Sequence, residues 1–130
     1  MAQVPVISIV DDDKSVRDAT KSLVRSLGYN AVTFGSAEEF LESAYVSTTA
    51  CLITDNQMPG LSGIELCDRL IADGHDIPVI FVTAFSNDRL QLYVDRTGAI
   101  GYLPKPFKEG RMVECIDAAL KRRSGQNARH

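Results

Sequence analysis

The chain has 130 residues, of which 45% are hydrophobic and 24% charged, and this is the composition of one ordinary globular domain. Its net charge is −3, although four basic residues fall within the last ten, so we expect the acidic main part not to bind nucleic acid. No apolar stretch approaches the roughly 20 residues of a membrane helix. The N-terminus runs into three aspartates without the basic segment of a secretory signal, so we expect a cytoplasmic protein without membrane contact.

Short apolar runs rich in Val and Ile alternate with amphipathic stretches, and this order predicts five β-α units. In chain order, the predicted strands are residues 4–10, 29–34, 50–54, 79–83 and 100–103. The predicted helices between and after them are residues 14–27, 37–44, 63–72, 87–97 and 109 to about 122. The fold class is therefore α/β, with a five-stranded doubly wound parallel sheet that carries helices on both faces.

Local signals mark the ends of the first two helices. Asp13 is the expected N-cap of the first, and Gly28 is expected to end it in the left-handed conformation. Ser36 and Glu39 predict a capping box at the start of the second helix. The apolar residues that this second helix should turn inward are Phe40, Leu41 and Ala44.

Two further features concern the chain as a whole. The three cysteines, Cys51, Cys67 and Cys115, match neither a zinc site nor a redox pair, so we expect reduced thiols packed as small apolar groups. The C-terminal segment KRRSGQNARH has no apolar period. We expect a folded domain over residues 1–123 and a basic and polar tail or linker stump over residues 124–130.

Charged and hydroxyl residues collect at the carboxyl ends of the predicted strands: Asp11 and Asp12 after the first, Asp55 after the third, Thr83 at the fourth and Lys105 after the fifth. Singly, each has a structural explanation as a turn residue, a strand former or a solvated charge. Together they lie at the edge where such sheets bind ligands. Converging carboxylates favour a bound cation, and oxygen ligands suit Mg²⁺, which also binds phosphates. The pattern predicts a site for a metal and a phosphoryl group.

Four segments of the chain resemble, in order, the receiver domain of two-component response regulators, and most of all its FixJ-type branch. They are IVDDDKSVR at 9–17, LITDNQMPGLSGIEL at 52–66, VIFVTA at 79–84 and GYLPKPF at 101–107. The resemblance covers residues 5–122. It implies the (βα)5 flavodoxin-like receiver fold and a signalling role rather than that of an enzyme, beyond assisting the domain's own phosphorylation and dephosphorylation.

The resemblance implies a magnesium site and a phosphoacceptor. Asp55 would take a phosphoryl group from a histidine kinase. Asp12 and Asp55 would hold Mg²⁺ directly, with the backbone carbonyl of Gln57, and Asp11 would act largely through metal-bound water. The residues that would contact the phosphoryl oxygens are Thr83, through its hydroxyl, and Lys105, through its ammonium, with a cis peptide bond to Pro106.

The resemblance also implies a two-state switch. Thr83 would turn toward the phosphoryl group and Tyr102 would swing in from the surface, reshaping the face made by the fourth helix, fifth strand and fifth helix. That face would act on a second copy of the chain, a downstream protein or a DNA-binding output domain. Gly101, Pro104 and the fourth helix depart from the family pattern on this face.

A second hypothesis is a small magnesium-dependent hydrolase that resembles the haloacid-dehalogenase superfamily, with Asp11 as the nucleophile. Its signature, a buried strand followed by Asp-x-Asp, is met by Ile9–Asp13. That family also has acidic residues at a strand end after the lysine, whereas here they fall in the last predicted helix. A chain of this length leaves no room for a cap domain.

Overall fold

The computed structural model of the chain describes residues 4–84 and 88–127, with the backbone alone for residues 123–127. The strands are β1 (Val6–Val10), β2 (Asn30–Phe34), β3 (Thr49–Asp55), β4 (Val79–Thr83) and β5 (Gly101–Pro104). The helices are α1 (Lys14–Ser26), α2 (Ala37–Glu42), α3 (Gly63–Ala72), α4 (Asp88–Thr97) and α5 (Glu109–Asn127). The predicted alternation of strands and helices is confirmed. Asn87, where the fourth helix was predicted to begin, lies outside the described residues.

The five strands form one parallel sheet in the order β2-β1-β3-β4-β5. This arrangement confirms the doubly wound α/β fold. The chain leaves β1 toward one edge of the sheet and leaves β3 toward the other, so the direction reverses between these two strands. In such sheets, ligands bind in the crevice at the carboxyl ends of the strands on either side of the reversal.

The sheet separates two apolar layers. The layer on the side of α1 and α5 contains the buried residues Ile7, Ile9, Val24, Cys51, Ile53, Ile80, Val82, Leu103, Met112 and Ile116. The layer on the side of α2, α3 and α4 contains Val10, Phe40, Leu52, Leu66, Leu70, Phe81, Leu90 and Tyr93. Successive residues of a strand point to opposite layers. Because helices cover both layers, β3 and β4 are buried along their whole length.

The ends of α1 match the sequence prediction, whereas α2 differs from it. Ser36 accepts a hydrogen bond from the N–H of Glu39, but the Glu39 carboxylate accepts from the N–H of Gly35 and so leaves the capping box incomplete. The helix then stops early, because the hydroxyl and the N–H of Ser43 both donate to a carbonyl of the last turn. Ala44 therefore lies outside the helix and is exposed, and the prediction that it packs inward is wrong.

The third and fifth helices add two features. A complete capping box joins Ser62 and Glu65 at the start of α3, where each side chain accepts from the other residue's N–H. The last helix continues to Asn127, past the predicted end near Arg122. The domain boundary at residue 123 stays a prediction. In the described part of the chain, no helix is both long and apolar enough to cross a membrane.

Cys51 and Cys67 are buried free thiols, in line with the prediction, while Cys115 is only half-buried on α5. Burial raises the pKa of the Cys51 thiol to about 12. Burial also raises the pKa values of the other two thiols above their ordinary value. All three therefore remain protonated and weakly nucleophilic at neutral pH, as expected for structural cysteines.

Candidate functional site

Three carboxylates meet at the crevice between β1 and β3. Asp11 follows β1 directly and Asp55 is the last residue of β3, and both are buried, whereas Asp12 is exposed. One oxygen from each carboxylate lies within 4.8 Å of the others. The parallel sheet explains this convergence, because both strands end at the same edge. Three negative charges this close repel one another unless a cation lies among them.

Lys105, which follows the edge strand β5, brings a positive charge to the same place. Its Nζ lies 2.9 Å from Oδ2 of Asp11 and 3.0 Å from Oδ2 of Asp55. The backbone N–H of Lys105 donates to the carbonyl of Thr83 at 2.9 Å, which fixes the start of the β5–α5 loop on β4. The peptide bond to Pro106 is cis, as expected. The ammonium thus bridges the two buried carboxylates.

Backbone N–H groups orient the other oxygen of each buried carboxylate. Oδ1 of Asp11 accepts from the N–H of Asp13 at 2.9 Å, and Oδ1 of Asp55 accepts from the N–H of Gln57 at 3.1 Å. Each carboxylate is therefore held by a backbone donor on one oxygen and by the lysine on the other. The short turn after Asp55 also places Gln57 beside the site.

The charges on these groups follow from their surroundings. Burial raises the pKa of the Asp11 carboxyl, and the lowering effects of the Asp13 N–H and of Lys105 only partly offset it. Burial alone would lower the pKa of Lys105, but the hydrogen bonds and attraction from Asp11 and Asp55 overcome this and raise it. The lysine therefore stays charged at neutral pH and acts as the counterion of the acidic pair.

The loop from β3 to α3 packs closely behind Asp55. The Asn56 side chain accepts from the N–H of Ile64 at 3.0 Å, and the Asn56 carbonyl accepts from the N–H of Gly63 at 3.1 Å. A Cβ atom on Gly63 would lie only 2.6 Å from the carbonyl oxygen of Asp55. This position thus requires glycine, and through it the start of α3 supports the backbone of Asp55.

Thr83 and Tyr102 lie where the topology predicts. Thr83 is fully buried at the carboxyl end of β4, the strand next to β3, so it shares an edge with Asp55. Tyr102 is half-buried on β5 and pairs in register with Phe81, two residues before Thr83. The two residues therefore occupy neighbouring strands on the side of α2, α3 and α4.

One residue that contacts the site was not singled out from the sequence. Arg17 on α1 donates from Nη1 to the backbone carbonyl of Asp11 at 2.8 Å. Its sequence position, in the first turns of an amphipathic helix, is equally typical of a solvated charge. The one signal for it was its place in the IVDDDKSVR segment.

The donor set fits Mg²⁺. Carboxylate oxygens are its preferred protein ligands, and it usually retains several waters and binds phosphate oxygens as well. Two buried carboxylates and an exposed one converge here with a backbone carbonyl close by in sequence at Gln57. At such a site, phosphoryl transfer requires mainly positioning and charge neutralisation.

Comparison with known proteins gives the family. The model of the response regulator receiver domain matches residues 7–117. The response regulator protein TodT of Pseudomonas putida is 39% identical over 116 residues, which are 89% of this chain and 51% of TodT. The transcriptional regulatory protein FixJ of Bradyrhizobium diazoefficiens is 32% identical over 115 residues, which are 88% of this chain and 56% of FixJ. The chain spans about half the length of the curated relatives it matches.

The fold agrees with these relatives. The crystal structure of FixJ-N superposes with a TM-score of 0.80 at 30% identity, covering 92% of this chain and 96% of FixJ-N. These relatives are regulators and not haloacid-dehalogenase hydrolases, so they do not support the alternative hydrolase with Asp11 as the nucleophile. The family match covers most of the chain, and the relatives of the chain include FixJ from two organisms. The chain therefore belongs to the family of response regulator receiver domains and is similar to the FixJ-type members.

Proposed function

We propose that Asp55 accepts a phosphoryl group from a histidine kinase in a magnesium-dependent reaction. The observation that carries the proposal is the position of Lys105, whose ammonium bridges Asp55 and Asp11 at the edge of the sheet. Asp55 is buried, is oriented by the N–H of Gln57 and lies on the strand next to Thr83. These are the groups that a phosphoryl-transfer site needs: a fixed oxygen nucleophile, a cation and a hydroxyl donor.

In the proposed step, a carboxylate oxygen of Asp55 attacks the phosphorus of a phosphohistidine. A phosphorus–oxygen bond forms and the phosphorus–nitrogen bond breaks, and the electron pair leaves with the imidazole, which takes up a proton. The product is an acyl phosphate on Asp55. The Lys105 ammonium and the Thr83 hydroxyl each donate to one phosphoryl oxygen and so stabilise the charge that gathers there.

The metal would be held by the carboxylates of Asp12 and Asp55 and the carbonyl of Gln57, with Asp11 acting largely through bound water. When bound, Mg²⁺ supplies positive charge that offsets the carboxylates and the phosphoryl oxygens. Asp11 and Lys105 meanwhile keep Asp55 oriented. The chain would assist its own phosphorylation and dephosphorylation and would catalyse no reaction of other molecules.

The output of the site is proposed to be a switch. A phosphoryl group on Asp55 would draw the Thr83 hydroxyl toward it, and Tyr102 would move inward, changing the surface of α4, β5 and α5. The partners would be a second copy of the chain, a downstream protein or a DNA-binding output domain in the cytoplasm.

Intact-mass measurement tests the first step of this proposal. The chain is incubated with acetyl phosphate, with Mg²⁺ or with excess chelator. We expect one added phosphoryl group that requires Mg²⁺. Light scattering and amide exchange between Asp88 and Met112, with and without beryllofluoride, test the switch. No added mass would contradict the phosphoacceptor, and an unchanged particle mass with unchanged protection would contradict the switch.

A further inference from the structure

A polar contact joins α4 to α3 at a distance from the acidic site. The hydroxyl of Tyr93 on α4 donates to Oδ1 of Asp68 on α3 at 2.7 Å and lies 3.5 Å from the carbonyl of Ile64. Burial, together with the hydrogen bond to Asp68, raises the pKa of Tyr93 above its usual range, so the phenol remains a donor at neutral pH. Hydrogen bonds to charged groups are stronger than neutral ones. This bond links α3 and α4.

The ring of Tyr93 connects the same contact to the strand that carries Thr83. It packs edge-on against Phe81, with centroids 6.0 Å apart and planes at 79°. Phe81 and Thr83 are two positions apart on β4, so their side chains point to the same side of the sheet. Tyr102 is the register partner of Phe81 on β5. Phe81 is therefore a neighbour of Tyr93 and of both proposed switch residues.

Few residues of α4 are fully buried. Of its ten residues, Leu90 and Tyr93 are buried, and Leu92 is 65% exposed. Val94 is partly buried against the same layer. A helix with only two fully buried side chains depends strongly on each of them, because local opening becomes easier as buried contacts decrease. Tyr93 is the only one of the two whose side chain carries a polar group.

We propose that Tyr93 is a positioning residue that anchors α4 to α3 through Asp68 and thereby holds the helix against the strand of Thr83. The strength of this anchor sets how readily α4 rearranges when the site is phosphorylated. The anchor itself follows from the contacts of Tyr93, whereas its link to phosphorylation rests on the proposed function. A ligand can shift such an equilibrium only by its preference for one arrangement, so weakening the anchor changes the resting balance.

The test compares Tyr93→Phe, which removes only the hydroxyl, with Tyr45→Phe, which removes the hydroxyl of a tyrosine that is 42% exposed. Amide exchange is measured over α4 and, as an internal reference, over α1. The measurement needs no phosphodonor.

We expect Tyr93→Phe to speed exchange in α4 about five- to tenfold, with α1 and the Tyr45→Phe protein unchanged. Asp68→Ala should also speed exchange in α4, and the double variant should exceed Tyr93→Phe by less than additivity predicts, because the two changes share this bond. Asp68→Asn keeps an oxygen acceptor and should retain most of the protection. Equal acceleration in α1 and α4, or none in α4, would overturn the anchor.

The link to phosphorylation has its own readout. Beryllofluoride should change α4 exchange less in Tyr93→Phe than in the unaltered chain, because the helix is already released, whereas a purely structural loss would leave that response unchanged. An equal response in both proteins would overturn the link. An unaltered chain that does not respond to beryllofluoride would contradict the proposed function, and the exchange comparison without ligand would still decide the anchor.

Discussion

The ammonium of Lys105 lies 3.0 Å from Oδ2 of Asp55, a residue 50 positions earlier in the chain. The same nitrogen lies 2.9 Å from Oδ2 of Asp11. One side chain, from the loop after the edge strand β5, thus partly neutralises two buried carboxylates at the ends of the neighbouring strands β1 and β3. This arrangement explains how the acidic cluster can persist in a folded chain before any metal binds.

Replacing this lysine should destabilise the metal-free fold. Lys105→Met leaves Asp11 and Asp55 buried without their counterion, and breaking such a contact should lower the free energy of unfolding by about 3 kcal/mol. Mg²⁺ should restore part of the loss because it brings positive charge to the same oxygens. Urea unfolding with and without Mg²⁺ measures both effects. Lys108→Met, an exposed lysine of the same loop, is the control, and an equal loss in both variants would contradict this assignment.

A methyl group on Gly63 should disturb Asp55 directly. A Cβ there would lie 2.6 Å from the Asp55 carbonyl oxygen, so Gly63→Ala should lower both stability and the yield of phosphorylated chain. Gly110 on α5 has open space around its Cβ position, and Gly110→Ala should be neutral or stabilise by up to about 1 kcal/mol. Urea unfolding and intact mass are measured on both. Gly63→Ala with full phosphorylation would show that the close contact does not position Asp55.

Loss of Asp12 should act in opposite directions on metal binding and on metal-free stability. Losing even an outer partner of a metal ligand costs about 10- to 100-fold in affinity, so Asp12→Ala should weaken Mg²⁺ binding about tenfold or more. Without metal, the variant should be slightly more stable because one of three crowded charges is gone. Calorimetric titration measures the affinity, with Glu114→Ala on α5 as the control. Unchanged affinity in Asp12→Ala would place the metal elsewhere.

The buried thiol of Cys51 predicts a loss of stability at alkaline pH. Its pKa rises from an ordinary 9.0 to about 12 in the folded chain, so between these values only the unfolded chain ionises. Its contribution is fully present below pH 9 and is lost as the pH rises toward about 12, with a slope approaching about 1.4 kcal/mol per pH unit. Urea unfolding across pH 8.5–10.5 should therefore show a shallower slope for Cys51→Ala. A slope identical to that of the unaltered chain would contradict it.

The fold and most of the site follow from local patterns in the sequence. Apolar runs without polar alternation identify the buried strands, and parallel pairing brings their carboxyl ends to one edge. That is why Asp11, Asp55 and Lys105 can be grouped from the sequence alone. The pattern of Ser62 and Glu65 is the same capping signal as that of Ser36 and Glu39, and only the packing around each helix decides which pair closes a complete box.

Other contacts have no local signal. The bond from Tyr93 to Asp68 joins positions 25 residues apart and depends on how two helices pack on the sheet. The bond from Arg17 goes to a backbone carbonyl, which every residue carries, so the residue pattern does not indicate which partner it has. Ala44 was placed inward by helical periodicity, but side-chain hydrogen bonds of Ser43 end the helix first. Such details are set by tertiary packing and by competition for backbone groups.

The most direct test of the account is the mass of the chain and of Asp55→Asn after incubation with acetyl phosphate and Mg²⁺. This variant retains the shape of the side chain and removes the nucleophilic carboxylate, while Asp11 and Asp12 remain. The account predicts one added phosphoryl group on the unaltered chain and none on the variant, with the modified peptide of the unaltered chain containing Asp55. Equal phosphorylation of Asp55→Asn, or a phosphoryl group mapped to Asp11, would contradict it.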